Sequence, residues 1–236
     1  LKFPLRYSLN LKIVLVALLY YLAARLGYSF AFENTTALPT WPPAGIAFAL
    51  ILLLGRSTWP GITIGSLVAN IMTYRNDAFL PAETIIFVSS LIAASHTLEA
   101  IVGNYLVKHW IKSDYPFNST KNAYRFLFVT LLMCLAGASL GLSGLYLNGL
   151  VNSSAILRTG FSWWIGNVVG ILLFTPFILG CGEKLVLKIP SKKMMEVGIF
   201  AIAVVGIYFL LQIDYLIPTL ERALPFLVLP FLLWLA

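Results

Sequence analysis

The chain has 236 residues, of which 60% are hydrophobic and 11% are charged, and its formal net charge is +7. A soluble domain carries about 25% charged residues, so this composition indicates an integral membrane protein whose surroundings are the lipid bilayer. The basic residues lie in short clusters between apolar segments, which favours membrane topology over nucleic-acid binding.

Apolar segments separated by polar breaks predict eight helices. In chain order, their approximate ranges are 11–32, 43–57, 60–75, 81–108, 123–148, 160–181, 194–213 and 222–236. The segments show no period-two alternation, and only helices or closed barrels satisfy every backbone group in lipid. The predicted fold is therefore an all-α integral membrane bundle of about eight transmembrane helices, forming a single domain over residues 1–236.

The distribution of lysine and arginine predicts the orientation of this bundle. With the N-terminus inside, twelve of the sixteen basic residues lie on the cytoplasmic side, three lie outside and Arg25 lies within the first helix. Because basic loops stay in the cytoplasm, both termini are predicted to be cytoplasmic. The last apolar run stops at Ala236 without a basic flank, and we expect a cytoplasmic output module to follow it.

The second and third predicted helices are short. Pro42–Arg56 and Trp59–Tyr74 are about 22 to 24 Å long at 1.5 Å per residue, whereas the hydrocarbon core is about 30 Å thick. This hairpin must either thin the bilayer or be enclosed by longer helices. Pro42 and Pro43 suit a first helical turn because the missing N–H of proline would be unpaired there. Trp41 is expected to anchor at the outer membrane interface. The positive N-terminal end of the short helix is hypothesised to lie below the membrane surface, facing the bundle, where a polar or anionic group would be favoured.

Polar side chains within the apolar segments are the candidate functional residues, since such groups are costly in a bilayer and usually functional. His96 and Glu99 lie on one face of helix four, and Arg25 of helix one lies at a depth within reach of Glu99. Asn70 of helix three lies near the depth of Glu99, and Asn167 of helix six near that of Arg25. The predicted polar centre of helices one, three, four and six either fixes helix packing, senses a ligand or an ion, or carries out chemistry.

Signatures of catalysis are missing from the sequence. It has no acid pair at hydrolase spacing, no His-Glu zinc motif and no phosphate-binding glycine loop. The two cysteines form no disulfide or zinc motif. His109 lies beside Lys108 and Trp110 at the membrane interface, which leaves one histidine in the bundle and disfavours haem. We therefore predict no enzyme activity, metal or cofactor for this segment.

Five sequence segments together resemble a known family. In chain order they are "WPPAGIAFALILLLG", "WPGITIGSLVAN", "TLEAIVGNYLV", "WWIGNVVGILLFTPFIL" and "LPFLVLPFLLWLA". They resemble the bacterial membrane-associated sensor domain of the MASE family, first type. On that resemblance, the motif positions are Trp41, Pro42, Pro43, Gly45, Asn70, Glu99, Gly103, Trp164, Gly166 and Pro176. Many members are expected to have aspartate in place of Asn167, whose amide keeps the hydrogen bonding without the charge.

The resemblance implies a multi-pass input domain of the bacterial cytoplasmic (inner) membrane. The expected stimulus is a small molecule, a membrane state or a companion membrane protein. The last helix is expected to transmit the signal to a cytoplasmic histidine kinase or diguanylate cyclase. The protein is expected to form a homodimer through that output module. The alternatives are a small transporter or the membrane-embedded binding subunit of one, and a plain anchor. The candidate ligand or signal residues are Arg25, Trp41, Pro42, Pro43, Gly45, Asn70, His96, Glu99, Trp164 and Asn167.

Overall fold

The computed structural model of the chain describes residues 8–29, 40–75, 80–112, 116–117 and 119–186. These residues form α-helices and no strand, which confirms the all-helical prediction for this part of the chain. The helices are α1 (Leu9–Ser29), α2 (Pro42–Leu54), α3 (Trp59–Tyr74), α4 (Ala82–Leu106), α5 (Thr120–Leu147) and α6 (Ile156–Val186). A π-helical turn, Val107–Ile111, extends α4. The predicted helices 194–213 and 222–236 lie outside the described residues.

Four of these helices are long and apolar enough to cross a membrane. The candidate spans are Leu9–Tyr28, Ala82–Ile111, Thr120–Leu147 and Ile156–Gly180. Large apolar side chains such as Leu18 and Phe128 are exposed on their outer faces, as expected for surfaces that contact lipid. The protein is therefore a helical membrane protein, while the total of eight helices and the orientation of the termini stay predictions.

The short helix α2 is enclosed by its neighbours. Nine of its 13 residues are buried, as is typical of a helix that is hydrophobic on all sides. It ends at Gly55, whose φ of 100° lies in the region that favours glycine. Of the two alternatives for this hairpin, a thinned bilayer or enclosure by longer helices, the burial of α2 favours enclosure. The contacts described below lie within one compact unit that ends at Leu179.

Side-chain contacts show that α2 and α4 run parallel. Trp41, at the start of α2, stacks on His96 of α4. Seven residues later in each helix, Phe48 lies against Gly103. The two helices therefore keep the same register along their shared length.

Helix α6 runs parallel to α4 as well. The rings of His96 and Trp163 are 5.9 Å apart. Further along the same two helices, Glu99 is hydrogen-bonded to Asn167. The helices α2, α4 and α6 therefore share one direction, as expected when consecutive helices alternate in a bundle.

Two glycines of α3 set its contact with α1. Gly61 packs against Val16, and Gly65 packs against Tyr20. The contact thus advances in the same direction along both helices, so that α1 and α3 are parallel. Small residues at four-residue spacing allow such close approach between membrane helices.

Candidate functional site

Helix α2 begins inside the bundle. The residue before the helix, Trp41, is 8% exposed, and its ring lies 6.1 Å from that of His96. Since His96 is at the middle of the candidate span Ala82–Ile111, α2 begins level with the middle of that span and not with its end. The expectation that Trp41 anchors at the membrane interface is therefore wrong.

Every backbone N–H position at this helix start is accounted for. A helix start normally leaves four N–H groups unpaired, which is costly away from water. Pro42 and Pro43 have no N–H. The Trp41 amide donates to the Gly166 carbonyl of α6 at 2.9 Å, and the Ala44 amide donates to the Trp41 carbonyl at 3.1 Å. The two prolines thus let a helix begin in an apolar interior, and this start has no free N–H with which to hold an anion.

Two glycines bring the backbones of α2 and α6 into direct contact. A Cβ atom at Gly45 would overlap the carbonyl oxygen of Gly170, and one at Gly170 would overlap the carbonyl oxygen of Trp41. The Thr175 Oγ1 also donates to the Gly45 carbonyl at 2.9 Å. The tryptophan–proline motif and the glycine-rich motif of α6 are therefore the two sides of one contact.

A buried carboxyl–amide pair joins α4 to α6 near this contact. Glu99 is 2% exposed and Asn167 is 1% exposed. The Asn167 Nδ2 donates to Glu99 Oε2 at 2.7 Å. A Cβ at Gly137 of α5 would come within 2.5 Å of the same oxygen, so the glycine leaves the space that the carboxyl group occupies. An ionised carboxylate is costly here, and a carboxyl group in this place can hold a proton or accept a hydrogen bond from a ligand.

His96 lies one turn before Glu99 among aromatic rings. Its ring centroid is 6.0 Å from that of Tyr20, 6.1 Å from that of Trp41 and 5.9 Å from that of Trp163. These distances fall within the range of packed aromatic pairs. We call Tyr20, Trp41, His96 and Trp163 the aromatic cluster. Sequence reasoning missed Tyr20 as a site residue, although a tyrosine inside the apolar run of α1 was an available signal.

Asn70 belongs to a separate group of hydrogen bonds. Its Nδ2 donates to the Ser66 carbonyl oxygen at 2.8 Å, and its Oδ1 accepts a bond from the Tyr28 hydroxyl at 3.3 Å. The bond from Tyr28 ties α1 to α3, the bond to Ser66 lies within α3, and neither reaches Glu99. The predicted polar centre therefore divides into an α1–α3 part and an α4–α6 part.

Arg25 does not join the polar centre. Its side chain is exposed, and no ion pair connects it to Glu99, although the structure describes both residues. The preceding residue, Ala24, is fully buried. Because successive residues are rotated by about 100° around a helix, Arg25 leaves the buried face of α1. The prediction that Arg25 pairs with Glu99, which was made from depth along the helices alone, is therefore wrong.

Comparison with protein families decides which proteins the chain is related to. The MASE1 family model matches residues 13–236. The chain belongs to the MASE1 family. MASE1 domains are membrane-associated sensory domains, so this segment has a sensory rather than a catalytic role. Neither a curated protein nor a solved structure matches the chain.

Trp164 ties α6 of this MASE1 domain to α5. Its Nε1 donates to the Leu131 carbonyl oxygen at 3.0 Å, and the side chain is half-buried. Because this N–H already has a partner, Trp164 holds two helices together instead of offering a donor to a ligand. Among the described residues, no group of three or more metal-ligating side chains could hold a metal ion.

Proposed function

We propose that this MASE1 domain is the input module of a signalling protein of the bacterial inner membrane. It crosses the membrane several times and responds to a small molecule, a membrane state or a companion membrane protein. Its last helix transmits the response to a cytoplasmic histidine kinase or diguanylate cyclase, which also forms a homodimer. The observation that carries this proposal is the buried Glu99–Asn167 bond, in a sensory family, between two helices of one packed bundle.

The α4–α6 contact is suited to be the switching element. Helix α6 is held to α2 through backbone atoms of Trp41 and Gly166, but the Glu99–Asn167 bond to α4 is made by side chains alone. A stimulus that competes for the Glu99 carboxyl group changes the second contact while leaving the first intact. Packed interiors shift between discrete arrangements, and a stimulus must favour one of them to act as a signal.

The test is the full-length protein with Glu99→Gln, with output activity measured at matched protein levels in membranes. We expect the stimulus-dependent output to change at least about fivefold, the lower end of typical coupling between sites. Glu83→Gln makes the same chemical change at an exposed position of α4, and Trp110→Phe alters an interface residue. Both controls should respond like the unaltered protein. Equal responses of all three variants would remove Glu99 from the site.

Replacement of the whole domain separates a sensor from a plain anchor. An unrelated membrane anchor of the same topology is substituted for residues 1–236 in the full-length protein. A sensor loses regulated output in this chimaera, whereas an anchor does not. Regulated output from the chimaera, or a full-length protein without an output module, would contradict the proposal.

The second candidate function is a small transporter or its binding subunit. The start of α2 inside the bundle favours it, because transport sites often lie at helices that begin near the middle of the membrane. In those sites the helix end offers free N–H groups to the substrate, which Pro42 and Pro43 remove here. Flux of labelled solutes into reconstituted vesicles decides between the two, since a sensor alone moves none.

A further inference from the structure

Three buried polar atoms of the aromatic cluster have no hydrogen-bond partner among the described residues. They are Tyr20 Oη, Trp41 Nε1 and His96 Nδ1. The three side chains are 0%, 8% and 5% exposed, respectively. An unpaired polar group away from water is costly, and such groups in proteins are usually bonded to an internal water or ligand.

The three atoms come from side chains in mutual contact. The rings of Tyr20 and Trp41 both pack on His96, with centroids 6.0 and 6.1 Å from it. The Tyr20 hydroxyl is close to the side chains of Trp41 and Ser66 without meeting hydrogen-bond geometry with either. Neighbouring polar groups that form no direct hydrogen bond are commonly bridged by water.

We propose that at least one internal water molecule is bound by Tyr20, Trp41 and His96. The Trp41 Nε1 can only donate, so it donates to the water oxygen. The two water hydrogens are donated to Tyr20 Oη and to His96 Nδ1, in the tautomer whose proton is on Nε2. These three bonds match the number, about three, that a buried water usually makes.

The packing of the cluster excludes an aromatic ligand between its rings. Aromatic centroids about 6 Å apart are in contact, which leaves no space for another ring between them. The buried carboxyl group of Glu99, one turn along α4 from His96, disfavours an anion. A neutral molecule that both donates and accepts satisfies all three atoms. The water would connect α1, which carries Tyr20, with the start of α2 and with α4.

Hydroxyl-radical footprinting of the full-length protein in lipid nanodiscs tests the proposal, because a bound water generates radicals beside buried side chains. We expect Tyr20, Trp41 and His96 to be oxidised at rates within about tenfold of exposed Tyr124, on the premise that the site is hydrated. Met133 is the internal control, since its reactive sulfur is fully buried in an apolar setting and should stay protected. Protection of all three cluster residues would overturn the proposal.

Tyr20→Phe gives a second, independent result because it removes one hydroxyl group and little else. If a water bonds to that hydroxyl, its loss lowers the thermal midpoint by a few degrees and reduces oxidation of Trp41 and His96. If the hydroxyl is unpaired and dry, its removal leaves the midpoint unchanged or raises it, which would contradict the proposal. Tyr124→Phe, at a 69% exposed position, should change neither quantity. The proposal does not rest on the signalling function, and neither measurement depends on output activity.

Discussion

Gly170→Ala tests whether the backbone contact between α2 and α6 determines the stability of the domain. An added Cβ would overlap the Trp41 carbonyl oxygen and would lie 2.7 Å from the Trp41 carbonyl carbon. Backbone atoms cannot rotate away as a side chain can. Helix α2 must therefore move off α6, which stretches the 2.9 Å bond from the Trp41 amide to Gly166.

The size of the effect is the balance of three terms. Overpacking of a close contact costs about 2 kcal/mol. Leaving the buried Trp41 N–H without its acceptor costs about 2 kcal/mol more. Alanine is better than glycine within a helix by about 1 kcal/mol, which offsets part of this loss. The net destabilisation of Gly170→Ala is about 3 kcal/mol, or a fall of roughly 6 to 12 °C in the unfolding midpoint of a chain of this length.

Thermal unfolding in detergent measures this effect, with Gly160→Ala on the same helix as the matched control. A Cβ at Gly160 would come 2.7 Å from a terminal methyl carbon of Leu142, a side chain that can rotate away. We expect its free energy of unfolding to stay within about 1 kcal/mol of that of the unaltered protein, because helix propensity offsets the contact. Equal midpoints for Gly170→Ala and Gly160→Ala would refute the claim that backbone contact makes this position special.

Three further substitutions test the same site by thermal unfolding. Gly137→Ala should displace the Glu99 carboxyl group, lower the free energy of unfolding by about 2 kcal/mol and alter output as Glu99→Gln does. Normal output would contradict the role of Gly137 in positioning this carboxyl group. Asn167→Leu keeps the side-chain shape but leaves the carboxyl group without its donor, so we expect the free energy of unfolding to fall by about 2 kcal/mol. An unchanged midpoint would show that this bond does not stabilise the domain. Thr175→Val removes the bond to the Gly45 carbonyl and should cost about 1 kcal/mol, whereas a gain in stability would mean that the bond is not formed.

Helix ends were predictable where local chemistry marks them. The start of α2 follows from the fixed φ of two prolines, and the structure begins the helix at Pro42. The predicted end at residue 57 was too late, since the backbone of Gly55 turns to a positive φ and stops the helix at Leu54. Apolar composition extends through such a glycine, so hydropathy alone does not locate the stop.

Contacts between helices were predictable only in part. Depth along each helix placed His96, Glu99 and Asn167 in the interior, and all three are buried. Depth is a single coordinate, however, and it does not say which neighbour a side chain faces. Asn70 was matched to Glu99 by depth, but it bonds to α1, and Arg25 points out of the bundle. Rotation of a helix about its axis depends on packing with all its neighbours, which one sequence does not reveal.

The proline-marked start of α2 gives this helix the geometry of a lever whose pivot is buried inside the bundle. Its first turn is fixed by the Trp41–Gly166 bond and by rigid proline rings, whereas an added Cβ at Gly55, just past its far end, would have no neighbour within 4 Å. The helix has 13 residues and is about 20 Å long. A tilt of about 5° about Trp41 displaces its far end by about 1.7 Å, which is the scale of helix shifts in known switching proteins. If α2 moves in the proposed response, a small change at the aromatic cluster would be enlarged at the Gly55 end of the helix.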